Sequence, residues 1–414
     1  MLVRGSMHRA GATLLGRLLA PTGPAARHSP CPCGQQARYH DRRPKQLLTA
    51  LGRVRYERAY YRCPRCEQGH SPRDRELDVE GVGFSPAVRR MMAAVGSESS
   101  FEQGRQQLAL LAGIELPAKA VERQAEAIGA QIESAAQTHI RRAKQLDLPA
   151  LRDPAVPLLY IEMDGTGVPT VKAETQARAG KIAGQPAHTR EAKLGCVFTQ
   201  TGSDPQGRPC RDPQSTSYVG AIETAEQFGL RLYSEAWRRG WGNASRKVVI
   251  GDGAVWIWNL AHLHFPGAIE IVDLSHARQH LWDLAVQLLG GQDEARKTWL
   301  ARALEQLDSG QIEALASSLR QRRPASPEQA KRLAAEADYF ERNAERMRYP
   351  AFRAQGLFVG SGVIEAGCKT VIGDRLKRSG MFWTVRGANA ILALRCCRLS
   401  GRFEDFWADR PQAA

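Results

Sequence analysis

Three acidic residues sit in glycine-marked turns that could hold a metal ion. Asp164 belongs to Leu158-Leu159-Tyr160-Ile161-Glu162-Met163-Asp164-Gly165-Thr166-Gly167. There an apolar run long enough for a buried strand meets two glycines, which predicts that Asp164 stands at a strand end. The same grammar returns at Lys247-Val248-Val249-Ile250-Gly251-Asp252-Gly253, where a β-branched run delivers Asp252 into a glycine pair. Gly360-Ser361-Gly362-Val363-Ile364-Glu365-Ala366-Gly367 reads as a turn, with Ser361 as N-cap and Glu365 in the first helical turn. One strand-end aspartate is an ordinary turn former; the repetition is what points to a cation site. Hard divalent cations such as Mg2+ take oxygen ligands, often only one or two protein carboxylates with water and phosphate oxygens. Asp164, Asp252 and Glu365 suit that chemistry.

A second metal chemistry is written in thiols. Cys31-Pro32-Cys33 and Cys63-Pro64-Arg65-Cys66 are separated by 29 residues that include the strand-like Arg53-Val54-Arg55-Tyr56 and Tyr60-Tyr61-Arg62. Four thiolates at these spacings can close a tetrahedral Zn2+ site, and a small β-rich unit with a thin core needs such a staple. The first pair is C-x-C, not C-x-x-C, so His28, His40 or His70 could replace one sulfur. Arg53, Arg55, Arg58 and Arg62, with Arg65, are interleaved with Tyr56, Tyr60 and Tyr61. Cations among aromatics suit phosphate contact with some base stacking, against the plainer reading of a solvated face.

The net charge of +15 points to an acidic partner, and no long apolar segment directs the chain to a membrane. The charge is unevenly spread. Residues 1–75 carry 15 Lys and Arg against 4 Asp and Glu, and residues 366–402 carry 8 against 1, so the stretch holding Asp164 and Asp252 is slightly acidic. Leu14, Leu15, Leu18 and Leu19 invite a signal-peptide reading, but Arg17 interrupts them and no small-residue cleavage site follows. An amphipathic helix over 10–20 and a cytoplasmic, nucleoid-associated protein are expected. In that reducing compartment, paired cysteines read as metal ligands.

These residues need scaffolding. Met91, Met92 and Val95, then Leu108, Leu110 and Leu111, then Val121, Ala125, Ile128 and Ile132 recur near the helical period between Ser85 and Lys144. Breaks at Gly96-Ser97 and residues 112–117 give two short helices, a turn and a longer helix, similar to a helix-turn-helix. A proline-marked linker, Gln145 to Pro157, leads into a central domain. There strands are expected at Leu158–Ile161, Val168–Val171, Leu194–Thr199, Lys247–Ile250 and Ala268–Val272, and helices over Thr224–Trp241, Ala254–Phe265 and His280–Leu289. Trp299, Leu304, Leu307, Ile312, Leu315 and Leu319 form one amphipathic arm of a helical insertion at about 290–355. Leu333, Ala337, Phe340, Ala344 and Met347 form the other. The domains expected are 1–80, 81–150 and 151–414. Strands in hairpin order, followed by strands alternating with helices, indicate an α/β sheet of mixed direction, the order of a ribonuclease H-like domain.

With the three carboxylates placed, the chain resembles bacterial insertion-sequence transposases of the DDE class, closest to the ISKra group related to mutator-like elements. The resemblance runs along nearly the whole chain. It is carried by Glu162-Met163-Asp164-Gly165-Thr166-Gly167, Lys193-Leu194-Gly195-Cys196-Val197-Phe198, Gly251-Asp252-Gly253-Ala254, Ser361-Gly362-Val363-Ile364-Glu365 and the tail Met381-Phe382-Trp383-Thr384-Val385-Arg386-Gly387-Ala388-Asn389-Ala390-Ile391. Asp273 and His276 resemble the short aspartate-to-histidine signature of the mutator-like group. The departure is at the start, where the leading helix reads as shortened.

The resemblance implies cleavage at the element's ends by water, then attack of the freed 3′-hydroxyl on target DNA. It implies two Mg2+ or Mn2+ ions held by Asp164, Asp252 and Glu365, and a structural Zn2+. His276 is either catalytic or DNA-positioning, or else supports the Asp252 loop; Arg278 and His280 are expected to face the helix interior or solvent. Lys369, Arg375, Lys377, Arg378 and Arg386, with Asn389, are expected to grip phosphates near the scissile bond. The partners implied are the terminal repeats, target DNA and further copies of the chain, as a homodimer or higher oligomer. Two other readings compete: a catalytically inactive or domesticated DNA-binding relative, and an unrelated nuclease of the same fold. Strand-transfer products separate the transposase from both.

Overall fold

A computed structural model describes residues 2–21, 23–147, 156–176, 178–180, 185 and 187–410. Most of the expected linker, 148–155, and parts of the polar stretch before Arg190 lie outside these residues. The chain is mixed α/β and divides into two compact units, Met1–Ile132 with Arg402–Ala414, and Glu133–Gly401. No helix of the described residues is long and apolar enough to cross a membrane.

The first unit opens with α1 (Leu2–Leu19), whose Gly11 and Gly16 pack on Leu51 and Val54. Leu14 and Leu18 are exposed, so only part of the leucine cluster faces the protein. An antiparallel sheet follows, β1 (His28–Pro30), β2 (Gln36–Thr49), β3 (Gly52–Arg62) and β4 (Gly69–His70), in that spatial order. Strand β2 was not expected, because Arg42, Arg43, Pro44 and Lys45 hide its alternation. It is held as a strand by pairing with β3 from Arg38↔Arg62 to Thr49↔Gly52. Helices α2 (Pro72–Glu76), α3 (Pro86–Glu98) and α4 (Phe101–Gln107) come next, then a π-turn at Leu108–Ala112 and α5 (Ala118–Lys144). Val88, Met92, Leu108, Ile114 and Val121 form one core here. The Gly96-Ser97 break is absent, since Gly96 sits within α3 where a Cβ would meet Ala125 at 2.7 Å.

The second unit is built on a five-stranded sheet. Its strands are β5 (Leu158–Pro169), β6 (Thr189–Thr199), β9 (Ser217–Ala221), β10 (Arg246–Gly251) and β11 (Ile269–Val272), in the order β11-β10-β5-β6-β9. A small pair, β7 (Gly202–Ser203) and β8 (Pro209–Cys210), lies in the connection after β6. Strands β10 and β11 run parallel to β5, whereas β6 and β9 are antiparallel. Leu159, Tyr160, Ile161 and Met163 are all buried because central β5 is covered on both faces.

One expectation is overturned at β5. Asp164 is not at the strand's end: the strand runs on through the glycines to Pro169, pairing Asp164 with Leu194 and Gly167 with Glu191. The expected separate strand at Val168–Val171 is largely the end of β5. Gly165 and Gly167 make room for β6, since a Cβ would meet Glu191 Oε1 at 2.7 Å and Thr189 Oγ1 at 3.0 Å. Strand β9, five residues long, was also missed.

Helices α6 (Ala225–Arg238), capped by a Thr224–Gln227 box, and α7 (Val255–His264) flank β10 in sequence, and α8 (Leu274–Leu289) follows β11. Helix α8 starts well before His280, because the Asp273 side chain caps it by accepting from Ser275 N at 3.0 Å. The helical segment expected at about 290–355 comprises α9 (Asp293–Asp308), α10 (Ile312–Gln321), α11 (Pro327–Arg342) and α12 (Tyr349–Ala354). Its first arm is thus two helices, separated at Gly310, which has φ +74°. The chain closes with α13 (Gly362–Gly367), a π-turn at Cys368–Gly373, α14 (Asp374–Leu376), α15 (Val385–Leu399) and, in the first unit, α16 (Phe403–Ala408).

Candidate functional site

The parallel register brings two of the carboxylates together. Ile250 pairs with Glu162, and Asp252 and Asp164 each lie two residues further on. Strand β10 ends at Gly251, so the edge of β5 beside Asp164 is left to the turn that carries Asp252. Alternation puts Glu162 and Asp164 on one face of β5. Helix α13 lies over that face: Ile364 N donates to Glu162 Oε2 at 2.8 Å, and the Cys368 thiol lies 3.2 Å from Asp164 Oδ2. Glu365 is exposed on the same short helix.

Electrostatics reports the same neighbourhood. Burial first pushes the Asp164 carboxyl up; Asp252 pushes it further, while the Cys368 thiol, Gly165 N–H and His276 draw it back. Such repulsion between carboxylates is what a bound cation relieves. The donors are hard oxygens on neighbouring elements, so they fit a divalent ion in kind. They form no single tight cage, however, because among the described residues only the four cysteines gather as a compact ligand set. Asp252 Oδ1 is oriented by Ala254 N at 2.8 Å.

Two further acids support the site. Glu162, fully buried, is pushed up to about 8, first by burial and then by neighbours that include Asp273 and Glu365. It went unnoticed because its place in the apolar run suggested only a strand, although alternation with Asp164 was legible. Asp273 accepts from Ser361 Oγ at 2.9 Å and Ser361 N at 3.3 Å, and its own N–H bonds Gly251 O at 2.8 Å. One residue thereby ties the end of β10, through its N–H, to the start of α8 and the turn before Glu365, through its carboxylate. Ser361 does occupy the N-cap position of α13, but its hydroxyl caps no backbone N–H there; it donates to Asp273 Oδ2 at 2.9 Å and lies 3.3 Å from Glu365 Oε1.

His276 is half-buried on α8, with the His280 ring edge-on at 5.0 Å. Of the two residues expected to face helix interior or solvent, Arg278 is partly in solvent and both are engaged by acids. Arg278 pairs with Asp308 at 2.7 Å, and His280 Nδ1 lies 2.7 Å from Glu336 Oε2. Gly253 has φ +94°, and a Cβ there would meet Tyr339 Cε2 at 2.6 Å. Gly253→Ala is therefore expected to cost about 1–3 kcal/mol in backbone strain alone, read as a lower melting temperature.

The basic tail divides. Lys369, Lys377 and Arg386 are exposed, and Lys377 Nζ donates to Thr166 Oγ1, two residues along the strand from Asp164. Arg378 is half-buried and donates to Asp374 O. Arg375 is a correction. It is fully buried, with its guanidinium 4.9 Å from the Trp383 ring centre and Nη1 3.2 Å from Met381 Sδ, so it cannot reach a phosphate. Arg375→Ala is expected to cost about 2–5 kcal/mol of stability while leaving the salt dependence of DNA affinity unchanged. Asn389 is half-buried, pairing both ways with the Ile222 backbone at 2.7 and 3.3 Å.

In the first unit, Cys31, Cys33, Cys63 and Cys66 converge, with all ligand atoms within 4.8 Å of one another. Cys31 and Cys66 sulfurs are 3.6 Å apart and Cys33 and Cys63 sulfurs 3.5 Å. A tetrahedral zinc with Zn–S near 2.3 Å requires sulfurs about 3.8 Å apart, so the set fits without a histidine. The Cys63 thiol is pushed down to about 6, first by the Cys66 backbone N–H. His70 is buried, stacked on Tyr61 and 3.4 Å from Ser29 Oγ.

Strand alternation sorts the arginines. Arg53, Arg55 and Arg62 are exposed, and Arg53 and Arg55 line a groove with Arg9 and Arg17 of α1. Arg58 is a correction: it turns inward to pair with the buried Asp74 at 2.7 Å and to donate to the carbonyls of Arg43 and Pro44. The stacking role expected of the tyrosines is closed to two of the three. Tyr56 and Tyr61 are core residues, and the Tyr60 ring carries Arg43 at 3.6 Å.

No family model and no curated protein matches the chain. Among solved structures it is similar to the Drosophila P element transposase strand transfer complex, at 10% identity and TM-score 0.27, over 82% of this chain and 84% of that one. A likeness that slight carries no argument about either fold or activity.

Proposed function

We propose that the chain is a DNA transposase of the DDE class, with a ribonuclease H-like catalytic unit and a zinc-ribbon-like unit that binds DNA. What carries the reading is the register of β5 and β10, which sets Asp164 and Asp252 at one level beneath the helix of Glu365. The strand order β11-β10-β5-β6-β9, with only β6 and β9 antiparallel to β5, supports the ribonuclease H-like part. The resemblance in the motifs around these residues supports the DDE part.

Asp164, Asp252 and Glu365 would hold divalent cations, Mg2+ or Mn2+. When bound, such ions activate the attacking oxygen and neutralise the leaving one in an in-line displacement. The chain's own residues do the positioning. Asp164 is fixed in mid-strand, Asp252 is oriented by Ala254 N, and Asp273 holds the Glu365 turn against α8. Lys369, Lys377 and Arg386 grip the DNA backbone by charge, and Arg53, Arg55 and Arg62 give the other unit a phosphate-binding face. His276 orients the scissile phosphate or the carboxylates. The zinc orders the ribbon, and the protein acts as a dimer or higher oligomer on paired ends.

The test is Mg2+-dependent nicking and strand transfer on DNA carrying the element's terminal repeats. Joined products support the transposase. Cleavage without joining identifies a nuclease, and binding without either identifies an inactive DNA-binding relative.

A further inference from the structure

The helical segment before Glu365 contains a polar network that its packing does not require. On α11, Glu336 is 2% exposed, and its oxygens face His280 Nδ1 and the Arg332 guanidinium, each at 2.7 Å. Burying a carboxylate is costly unless it is paired, so this one is committed to fixing the His280 ring. That ring lies flat on Tyr339, with centroids 4.1 Å apart and 6° between planes. The Tyr339 hydroxyl then donates to the backbone carbonyl of Asp252 at 3.1 Å.

The far end of the network is a glycine-flanked turn with little stiffness of its own. Asp252 stands between two glycines, beyond the last paired residue of β10. Such a turn loses much conformational entropy when fixed and relies on outside contacts to hold one geometry. Tyr339 fills the space a side chain at residue 253 would take and grips the carbonyl of residue 252. The Ala254 N–H holds the carboxylate from the other side.

We propose that Tyr339, held in place by His280 and Glu336, is a positioning residue for Asp252, and that the helical segment acts as a brace for the carboxylate site. This rests on the reading of Asp252 as a cation ligand. Neighbours that orient a ligand typically change metal affinity by about 10–100-fold.

The experiment measures Mn2+ binding to the full chain by calorimetry and electron paramagnetic resonance, with Asp252→Asn defining the site. Tyr339→Phe keeps the ring stack and removes only the hydroxyl. It is expected to weaken the Asp252-dependent binding by roughly tenfold, with an unchanged melting temperature. In nicking assays its half-saturating metal concentration rises while the rate at saturating metal is retained. Glu336→Gln is expected to weaken binding similarly. The double variant should fall short of the product of the two effects, because both act through one network. Wild-type Mn2+ affinity in both single variants overturns the brace and leaves the metal-site reading standing. Absence of any Asp252-dependent Mn2+ binding in the wild-type chain overturns both.

Discussion

Asp164→Ala is expected to lower DNA cleavage by at least about 10³-fold while DNA affinity stays within about twofold of wild type. Removing a single preorganised electrostatic group from a transition state costs roughly 10²–10³ in rate, and a carboxylate shared by the cation site should cost no less. Affinity is expected to be spared because the residues proposed to carry it are separate: Lys369, Lys377 and Arg386 in one unit and Arg53, Arg55 and Arg62 in the other are exposed cations. The measurement is nicking of a labelled terminal-repeat duplex in Mg2+, paired with a binding titration at fixed salt. If binding fell together with cleavage, Asp164 would be holding β5 and α13 in place rather than serving the reaction. Asp164→Asn checks the steric side, since it keeps the shape and removes only the charge.

Removing zinc is expected to unfold the ribbon. The sheet β1–β4 has a slight core around the thiols, made of Cys31, Ala37, Tyr61 and Cys63. Structural zinc in small peptides contributes roughly 10–16 kcal/mol of apparent binding free energy at neutral pH, all of it available for folding. Purified protein should therefore contain one zinc per chain by elemental analysis. Cys63→Ser should lose it, expose the remaining thiols to a thiol reagent, and abolish specific DNA binding. The sheet carrying Asp164 and Asp252 should remain folded, because its strands lie in the other compact unit. A metal-free preparation with a fully protected ribbon would contradict the assignment.

Much of this architecture was legible wherever a residue's own chemistry and close neighbours decide the outcome. The cysteine pairs announced a tetrahedral site because thiolates at those spacings have few other uses. Asp252 sits at a strand end as expected, where the β-branched run stops and Gly253 adopts a conformation other residues resist. The strand-like run Arg53-Val54-Arg55-Tyr56 is part of β3, but that its pleat buries Val54 and Tyr56 and leaves Arg53 and Arg55 outside was not read from it. Where distant segments decide, local reading failed. Gly165 and Gly167 look like a stop signal, yet they are strand residues, because β6 pairs with them and needs the room their missing side chains leave. Arg375 and Arg58 look like phosphate ligands, but each is turned inward, one by Trp383 and the other by Asp74.

The sequence by itself determined the candidates: which residues could take zinc, which could be proposed for a hard cation, and that Lys and Arg concentrate toward both ends of the chain. Only the tertiary structure decided which of these groups are neighbours and which are braced. Register between β5 and β10, the hold of Asp273 on Ser361, and the reach of Tyr339 to Asp252 join residues 87 or 88 positions apart. The physical reason is that side-chain chemistry is a property of one residue. Strand pairing and packing are collective, because each contact must offset the chain entropy lost in bringing remote segments together, and local pattern does not contain that sum.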